Sequence, residues 1–317
     1  MDLNKLEKFL KENNQPKFRL EQIMKAVYKD GALSFLEIST ISKDLRDLLN
    51  KEMKILSFEV EKVLTSDDKK SMKALLKIPC HPELVSGSKE IPDQVRNDSF
   101  YYIETVLLFS RSDAWTVCIS SQVGCPLKCE FCATGKGGFK RNLTNEEITD
   151  QVLFWKQYLK LKARSQKLKT EKDIKNIVFM GMGEPFLNWE NVKKSVEDFI
   201  NPKMFEIGSR SISISTAGVE GGIEKFLEEF PQVNLAISLH FADNETRSQF
   251  MPTNKAYNLR DIKKDLQNYF QKSKRKIFIE YILLEGLNDG IGDAEKLVKY
   301  LNSIGNSYLL HVNLISY

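Results

Sequence analysis

Apolar positions in the first fifty residues recur at helical spacing. Leu6, Phe9 and Leu10 form one stripe and Leu20, Ile23 and Val27 another, with the breaker segment Asn14 to Pro16 between them. The pattern predicts a small helical domain over residues 1–52. From Ile55 to Ile78 it turns into short alternating stretches, SFEVEKVLTS and SMKALLKI, so residues 53–113 are expected to form a linker sheet. Pro79 to Phe100, PCHPELVSGSKEIPDQVRNDSF, is rich in Pro, Ser, Asn, Asp and Gly. It interrupts what otherwise reads as one strand continuing into YYIETVLLF, which predicts an inserted surface loop over 79–100.

From Ala114 onward, strand patterns alternate with amphipathic helical ones, the order of βα units around a parallel sheet. The strands are WTVCIS, NIVFMG, SISIST, VNLAISLH, KIFIEYILL and LLHVNLIS, with helices expected near 144–163, 189–200, 219–229, 258–272 and 292–304. Right-handed crossovers would make this an α/β fold, an incomplete (βα)6 barrel over 114–317 with its active-site residues at the C-terminal strand ends.

The 317 residues are 42% hydrophobic and 28% charged, the balance of a globular protein with room for one large core and a small accessory domain. No apolar run approaches the roughly 20 residues that cross a bilayer. The start, MDLNKLEKFLKENN, is charged, which argues against a signal peptide and for a cytoplasmic location. The 47 basic and 43 acidic residues leave a net charge of +4, which permits a nucleic-acid partner without requiring one. Cysteine usage says more. Of the five cysteines, Cys80, Cys118, Cys125, Cys129 and Cys132, the last three fall within eight positions, and in a reducing cytosol that spacing points to a metal group rather than disulfides.

GCPLKCEFCATG places Cys125, Cys129 and Cys132 after the first barrel strand, with three and then two residues between them. Soft thiolates suit iron, and short spacing lets one loop wrap three corners of an Fe–S cluster. An iron left without a protein thiolate can take an exogenous chelator, which makes a [4Fe–4S] cluster a site of chemistry rather than an electron store. The alternative is zinc, but a tetrahedral structural site wants a fourth ligand, and His240 and His311 would have to come from distant strands. FMGMGEP, residues 179–185, ends the second strand. Its glycines let backbone approach a ligand, and Glu184 can accept hydrogen bonds from an ammonium group. Taken alone, the same residues are a strand-to-helix turn with Pro185 opening the helix. Ser215 in SISISTAGV and Ser238, Leu239 and His240 in VNLAISLH end two further strands, where single polar residues are often only caps.

In combination, CISSQVGCPLKCEFCATGKGGFKRNLT, FMGMGEPFLN, ISTAGV, AISLHFADNETRSQFMPTN and EYILLEGLND resemble the RlmN and Cfr family of radical S-adenosylmethionine RNA adenosine methyltransferases, from about residue 17 to the last residue. The resemblance implies that Cys125, Cys129 and Cys132 hold a [4Fe–4S] cluster and that Gly183, Glu184, Ser215, Ser238, Leu239 and His240 contact S-adenosylmethionine. It also implies that Glu104, in YYIETVLLF, accepts a proton and that Cys118, in WTVCISSQ, closes a disulfide with a methyl-carrying cysteine to release product. By themselves Glu104 is an unremarkable strand glutamate and Cys118 a small buried thiol. In the family, one S-adenosylmethionine methylates a C-terminal cysteine and a second is cleaved reductively to a 5′-deoxyadenosyl radical. The methyl group so activated adds to C2 or C8 of adenine, carbons not nucleophilic enough for polar transfer. The implied substrate is an adenosine of 23S rRNA, and for RlmN also a tRNA adenosine, with an electron donor such as flavodoxin and a monomeric enzyme.

The chain departs from the family at HVNLISY, where relatives continue with an asparagine that contacts S-adenosylmethionine and the methyl-carrying cysteine of an ACGQL-like motif. No cysteine follows Cys132, so the expectation is a chain that binds a cluster and cleaves S-adenosylmethionine without methylating RNA, as either a fragment of a longer enzyme or a decayed gene product. The competing readings are a Cfr-type C8 enzyme, a non-methylating Fe–S or RNA-binding remnant, and a radical enzyme acting on a peptide or small molecule. Lys17, Arg19 and Lys25 resemble part of the family's accessory RNA-binding domain. The run over 156–175 carries eight Lys or Arg against two acids and reads as a solvated helix face rather than a phosphate contact. Cys80 and His81, without partners nearby in sequence, are expected to have no metal role, and deleting 80–99 is expected to leave iron content unchanged.

Overall fold

The computed structural model describes residues 1–80, 100–109, 113–166 and 173–317. In chain order its first elements are α1 (Leu3–Glu12), α2 (Phe18–Met24), α3 (Lys43–Glu52), β1 (Glu59–Thr65), β2 (Ser71–Pro79), β3 (Phe100–Phe109), β4 (Trp115–Cys118) and β5 (Gln122–Gly124). The single turn α4 (Ala133–Lys136), β6 (Phe139–Asn142), α5 (Asn145–Gln166), β7 (Ile174–Phe179), α6 (Trp189–Ile200), β8 (Ile212–Thr216) and α7 (Gly222–Glu229) follow. The last elements are β9 (Asn234–Ser238), α8 (Asn244–Phe250), α9 (Leu259–Lys272), β10 (Ile277–Leu283), α10 (Ile291–Ile304) and β11 (Leu310–Ser316). They fall into two compact units. The first is Met1–Ser120, Asn142–Ile177 and Glu190–Gly208; the second is Ser121–Arg141, Val178–Trp189 and Ser209–Tyr317.

In the first unit, Asp2 caps α1 by accepting from Lys5 N, and Ser42 caps α3 by accepting from Leu45 N. Leu6, Leu10, Ile23, Val27, Leu45 and Leu49 of this helical region are buried, as their spacing requires. The sheet order is β1-β2-β3-β4-β7, with antiparallel pairing from β1 to β4. β2 and β3 pair from Ser71 opposite Leu108 to Pro79 opposite Phe100, so the stretches flanking the inserted segment are two arms of a hairpin. This corrects the expectation of one strand continuing into YYIETVLLF. Alternation tells which face a residue takes, not which strand lies beside it. Residues 81–99, including His81, lie outside the described residues, and Cys80 is a partly buried free thiol.

α5 packs its apolar side on this sheet. Trp155 is fully buried, and its indole N–H donates to Thr105 Oγ1 (3.1 Å), whose hydroxyl donates to Cys118 O (2.8 Å). Replacing Trp155 by alanine is expected to cost about 3–5 kcal/mol, read as a lowered urea midpoint, because it opens a large cavity and removes the donor to Thr105 Oγ1. One turn earlier, the buried Gln151 side chain brackets Ser120, accepting from its N–H (2.8 Å) and donating to its carbonyl (2.9 Å). That pair of bonds fixes where the chain leaves β4. On the other side of α5, Lys156 donates to Tyr28 O (3.0 Å), Lys160 to Gly31 O (3.1 Å) and Arg164 to Glu37 Oε1 (3.1 Å). The solvated face expected for this basic run is therefore corrected at these three residues, which anchor the chain after α2. Their partners are two backbone carbonyls and one glutamate far off in sequence, which helical charge patterning does not reveal.

In the second unit the sheet runs from the end of β7 through β8, β9, β10 and β11, the last four parallel. Ile212, Ile214, Leu235, Ala236, Ile237, Ile277 and Ile279 are buried on β8, β9 and β10, the near-continuous apolar pattern of strands covered on both faces. α7, α9 and α10 make the crossovers, and α9 starts in a capping box in which Asn258 and Asp261 satisfy each other's backbone N–H groups. The expected α/β class and N-terminal helical region are thus present. Among the described residues no helix is long and apolar enough to cross a membrane.

Candidate functional site

β5 and β6 form a two-stranded sheet that holds the cysteine loop at its base. Gly124 has φ +74°, and a Cβ there would fall 1.7 Å from Gly138 O, so only glycine lets the two strands close. Within the loop, Cys125 N donates to Gly138 O (3.2 Å), Cys132 N to Cys129 O (3.1 Å) and Glu130 N to Phe250 O (2.9 Å). Leu127, Cys129 and Phe131 pack on Ala217, Phe241, Met251 and Leu284, the residues just beyond β8, β9, α8 and β10. The loop is seated on the strand ends.

Burial pushes the Cys125 thiol up to about 11 and the Cys129 thiol to about 12, with the neighbouring thiols and Glu184 acting in the same direction. Three deprotonated sulfurs in this setting need positive charge among them. An all-thiolate donor set on one short loop suits the irons of a cluster. The residues fit a [4Fe–4S] group.

The turn after β7 is built against the start of β5. Gly183 has φ +100°, and a Cβ there would come within 2.5 Å of Gln122 Cβ. Gln122 Oε1 accepts from Glu184 N (2.8 Å), Ser121 N donates to Met182 O (2.8 Å), and Asn188 Nδ2 donates to Ser121 O (2.7 Å). The buried Glu184 carboxylate accepts from Phe186 N (3.1 Å) and Ala217 N (2.9 Å), and the Thr216 side chain also hydrogen-bonds it. Burial raises its pKa, and these amides oppose the rise. Pro185 opens a short 3₁₀ turn, Pro185–Asn188, so the plain strand-to-helix reading also holds. The two carboxylate oxygens offer about four acceptor sites, so with these three bonds made one remains for an ammonium group.

Ser215 and Ser238, at the ends of β8 and β9, have their hydroxyl oxygens 3.0 Å apart. Leu239 is fully buried. His240, at φ +59°, accepts from Ile282 N on Nδ1 (3.2 Å), which assigns its proton to Nε2, and its carbonyl accepts from Asn288 Nδ2 (2.8 Å). The Phe131 ring meets the imidazole edge-on at 5.2 Å. Burial, with Arg247 adding to it, lowers His240 to about 3. The folded value lies below the unfolded one of about 6.5, so the neutral imidazole contributes stability above pH 6.5 that is lost as pH falls toward 3. Thermal midpoints of the cluster-free protein are expected to fall over that window, and His240→Gln to flatten the dependence.

The cysteines, Gly183, Glu184, Ser215, Ser238, Leu239 and His240 thus lie together in the second unit. Glu104 and Cys118 lie in the first: Glu104 is half-exposed on β3 and ion-paired with Lys73 (3.0 Å), and Cys118 ends β4. Sequence reasoning missed Gln122, Arg247 and Asn288, buried polar residues whose partners are backbone groups of the site. The one local signal is a polar residue inside or beside an apolar strand-end segment.

Comparison with known proteins agrees with this geometry. Residues 119–301 match the profile of the Radical SAM superfamily, and residues 1–55 match the ribosomal RNA large subunit methyltransferase N-terminal domain. The chain is 37% identical, over 100% of its length and 82% of the relative's, to a probable dual-specificity RNA methyltransferase RlmN of Syntrophomonas wolfei. It is also 37% identical, over 99% of its length and 81% of the relative's, to the ribosomal RNA large subunit methyltransferase Cfr of Bacillus velezensis. A crystal structure of a radical SAM methyltransferase from Sphaerobacter thermophilus superposes with a TM-score of 0.80 at 32% identity, covering 99% of this chain and 83% of that one.

Proposed function

We propose, on the premise that this chain belongs to the RlmN and Cfr family of radical SAM RNA methyltransferases, that it is the scaffold of an enzyme that methylates C2 of an adenosine in 23S rRNA, with a methyl-carrying cysteine that residues 1–317 do not supply after Cys132. The superfamily uses a [4Fe–4S] cluster and S-adenosylmethionine. In this reading Cys125, Cys129 and Cys132 would hold the cluster, beside the groups that would bind the methionine end of S-adenosylmethionine. When bound, the cluster supplies the electron that breaks the bond between sulfur and C5′.

The protein's own groups bind and orient. The remaining acceptor site of Glu184 receives the methionine ammonium, and Gly183 lets the backbone reach it. The Ser215 and Ser238 hydroxyls offer a donor and an acceptor side by side, and neutral His240 with Leu239 lines the remaining wall without adding charge. Glu104 as proton acceptor, Cys118 as partner of a methyl-carrying cysteine, a tRNA substrate, a flavodoxin-type electron donor, a monomeric state and a cytoplasmic location complete the proposal. The observation that carries it is the seating of the cysteine loop on the strand ends that bear Ala217, Phe241 and Leu284. Mass spectrometry of rRNA nucleosides, from cells with and without the gene, is the test. Gene-dependent 2-methyladenosine is expected; 8-methyladenosine would move the reading to the Cfr type, and the absence of both products would overturn it.

A further inference from the structure

Arg247, on α8, is fully buried, yet every hydrogen-bond partner of its guanidinium is neutral. Nε donates to Leu239 O (3.1 Å), Nη1 to Asn254 Oδ1 (2.7 Å), and Nη2 to Ala217 O (2.7 Å) and Ser238 O (3.4 Å). Ala217 follows β8 by one residue, while Ser238 and Leu239 end and follow β9. One planar fork therefore ties two adjacent strand ends together, a geometry that a lysine ammonium on a flexible stem does not reproduce. Burying a cation without an anion is costly, and a neutral donor would serve if only packing were at stake.

We infer that Arg247 is the positioning residue of the S-adenosylmethionine cradle: it clips the end of β8 to the end of β9 and so sets the spacing of Ser215 and Ser238. The inference rests on the reading of those serines as cofactor contacts. Two further observations support it. The two hydroxyls it would set lie 3.0 Å apart, and the clip grips the chain two residues after Ser215 and at Ser238 itself and the residue after it. Asn254, buried, is itself held by donating to Asn244 O (3.2 Å) and Ser248 Oγ (2.7 Å), which turns its amide oxygen toward Arg247.

The test uses the full chain reconstituted anaerobically with iron and sulfide, as wild type, Arg247→Lys, Arg247→Met and Asn254→Ala. Three quantities are measured: iron content, the electron paramagnetic resonance signal of the reduced cluster titrated with S-adenosylmethionine, and the steady-state kinetics of reductive S-adenosylmethionine cleavage. With iron retained, Arg247→Lys is expected to raise KM for S-adenosylmethionine about tenfold while kcat changes by less than about threefold, and the signal should shift at correspondingly higher cofactor. Asn254→Ala should fall between wild type and Arg247→Lys. Full iron with unchanged KM and unchanged signal titration in the variants would overturn the inference. If both Arg247 variants fail to fold, Asn254→Ala decides by the same criterion. A wild-type signal indifferent to S-adenosylmethionine would instead overturn the cofactor reading beneath it.

Discussion

Cys129→Ala is expected to reduce iron from about four per chain to less than about one, and reductive 5′-deoxyadenosine formation by at least about a thousandfold. Cys129 is the loop thiol that packs against the strand-end core, and burial holds it neutral at about 12 when no metal charge is present. Its removal takes away one of the three thiolates that would hold the cluster. The polypeptide itself should tolerate the change: losing a sulfur atom from a half-buried site costs about 1 kcal/mol, and the loop's backbone bonds to Phe250 and Gly138 remain. The variant should therefore unfold at nearly the wild-type urea midpoint when both are stripped of iron. Iron retention would mean that the cluster sits elsewhere.

Gly183→Ala is expected to destabilise the protein by about 2–4 kcal/mol and to raise KM for S-adenosylmethionine by about a hundredfold in the fraction that folds. At φ +100° an L-residue is strained wherever the Cβ goes, and here it would lie 2.5 Å from Gln122 Cβ and 2.8 Å from Gln122 N. The second contact is backbone, so a rotamer change cannot relieve it. Relief must come from moving the turn, and that displaces Glu184 from the amides of Phe186 and Ala217 that now aim it. Urea unfolding of the cluster-free protein reads the first effect, and cofactor titration the second. A normal KM would show that the turn does not touch the cofactor.

The parts of this site that were legible in the sequence are those whose chemistry is local. Three cysteines within eight positions, a glycine-glutamate-proline turn ending a strand, and serines at strand ends can each be read without knowing what lies across the fold. Arg247 shows the opposite case. In NETRSQF it looks like one more polar residue of a seven-residue helix too short to display a periodic face, and only the fold turns it inward onto Leu239 and Ala217. The β2–β3 hairpin was hidden for a related reason, since alternating residues mark a strand's two faces but leave its neighbour open. The basic run on α5 shows that charge alone does not distinguish a solvated lysine from one that donates to a distant carbonyl.

The central claim is that the cysteine loop and the strand ends beneath it form one reductive S-adenosylmethionine site. Its most direct test is 5′-deoxyadenosine, measured by chromatography after the anaerobically reconstituted chain is mixed with dithionite and S-adenosylmethionine. The account predicts product that accumulates with time in the wild type and vanishes in Cys129→Ala. A wild-type protein carrying its full complement of about four irons and forming no 5′-deoxyadenosine would contradict it.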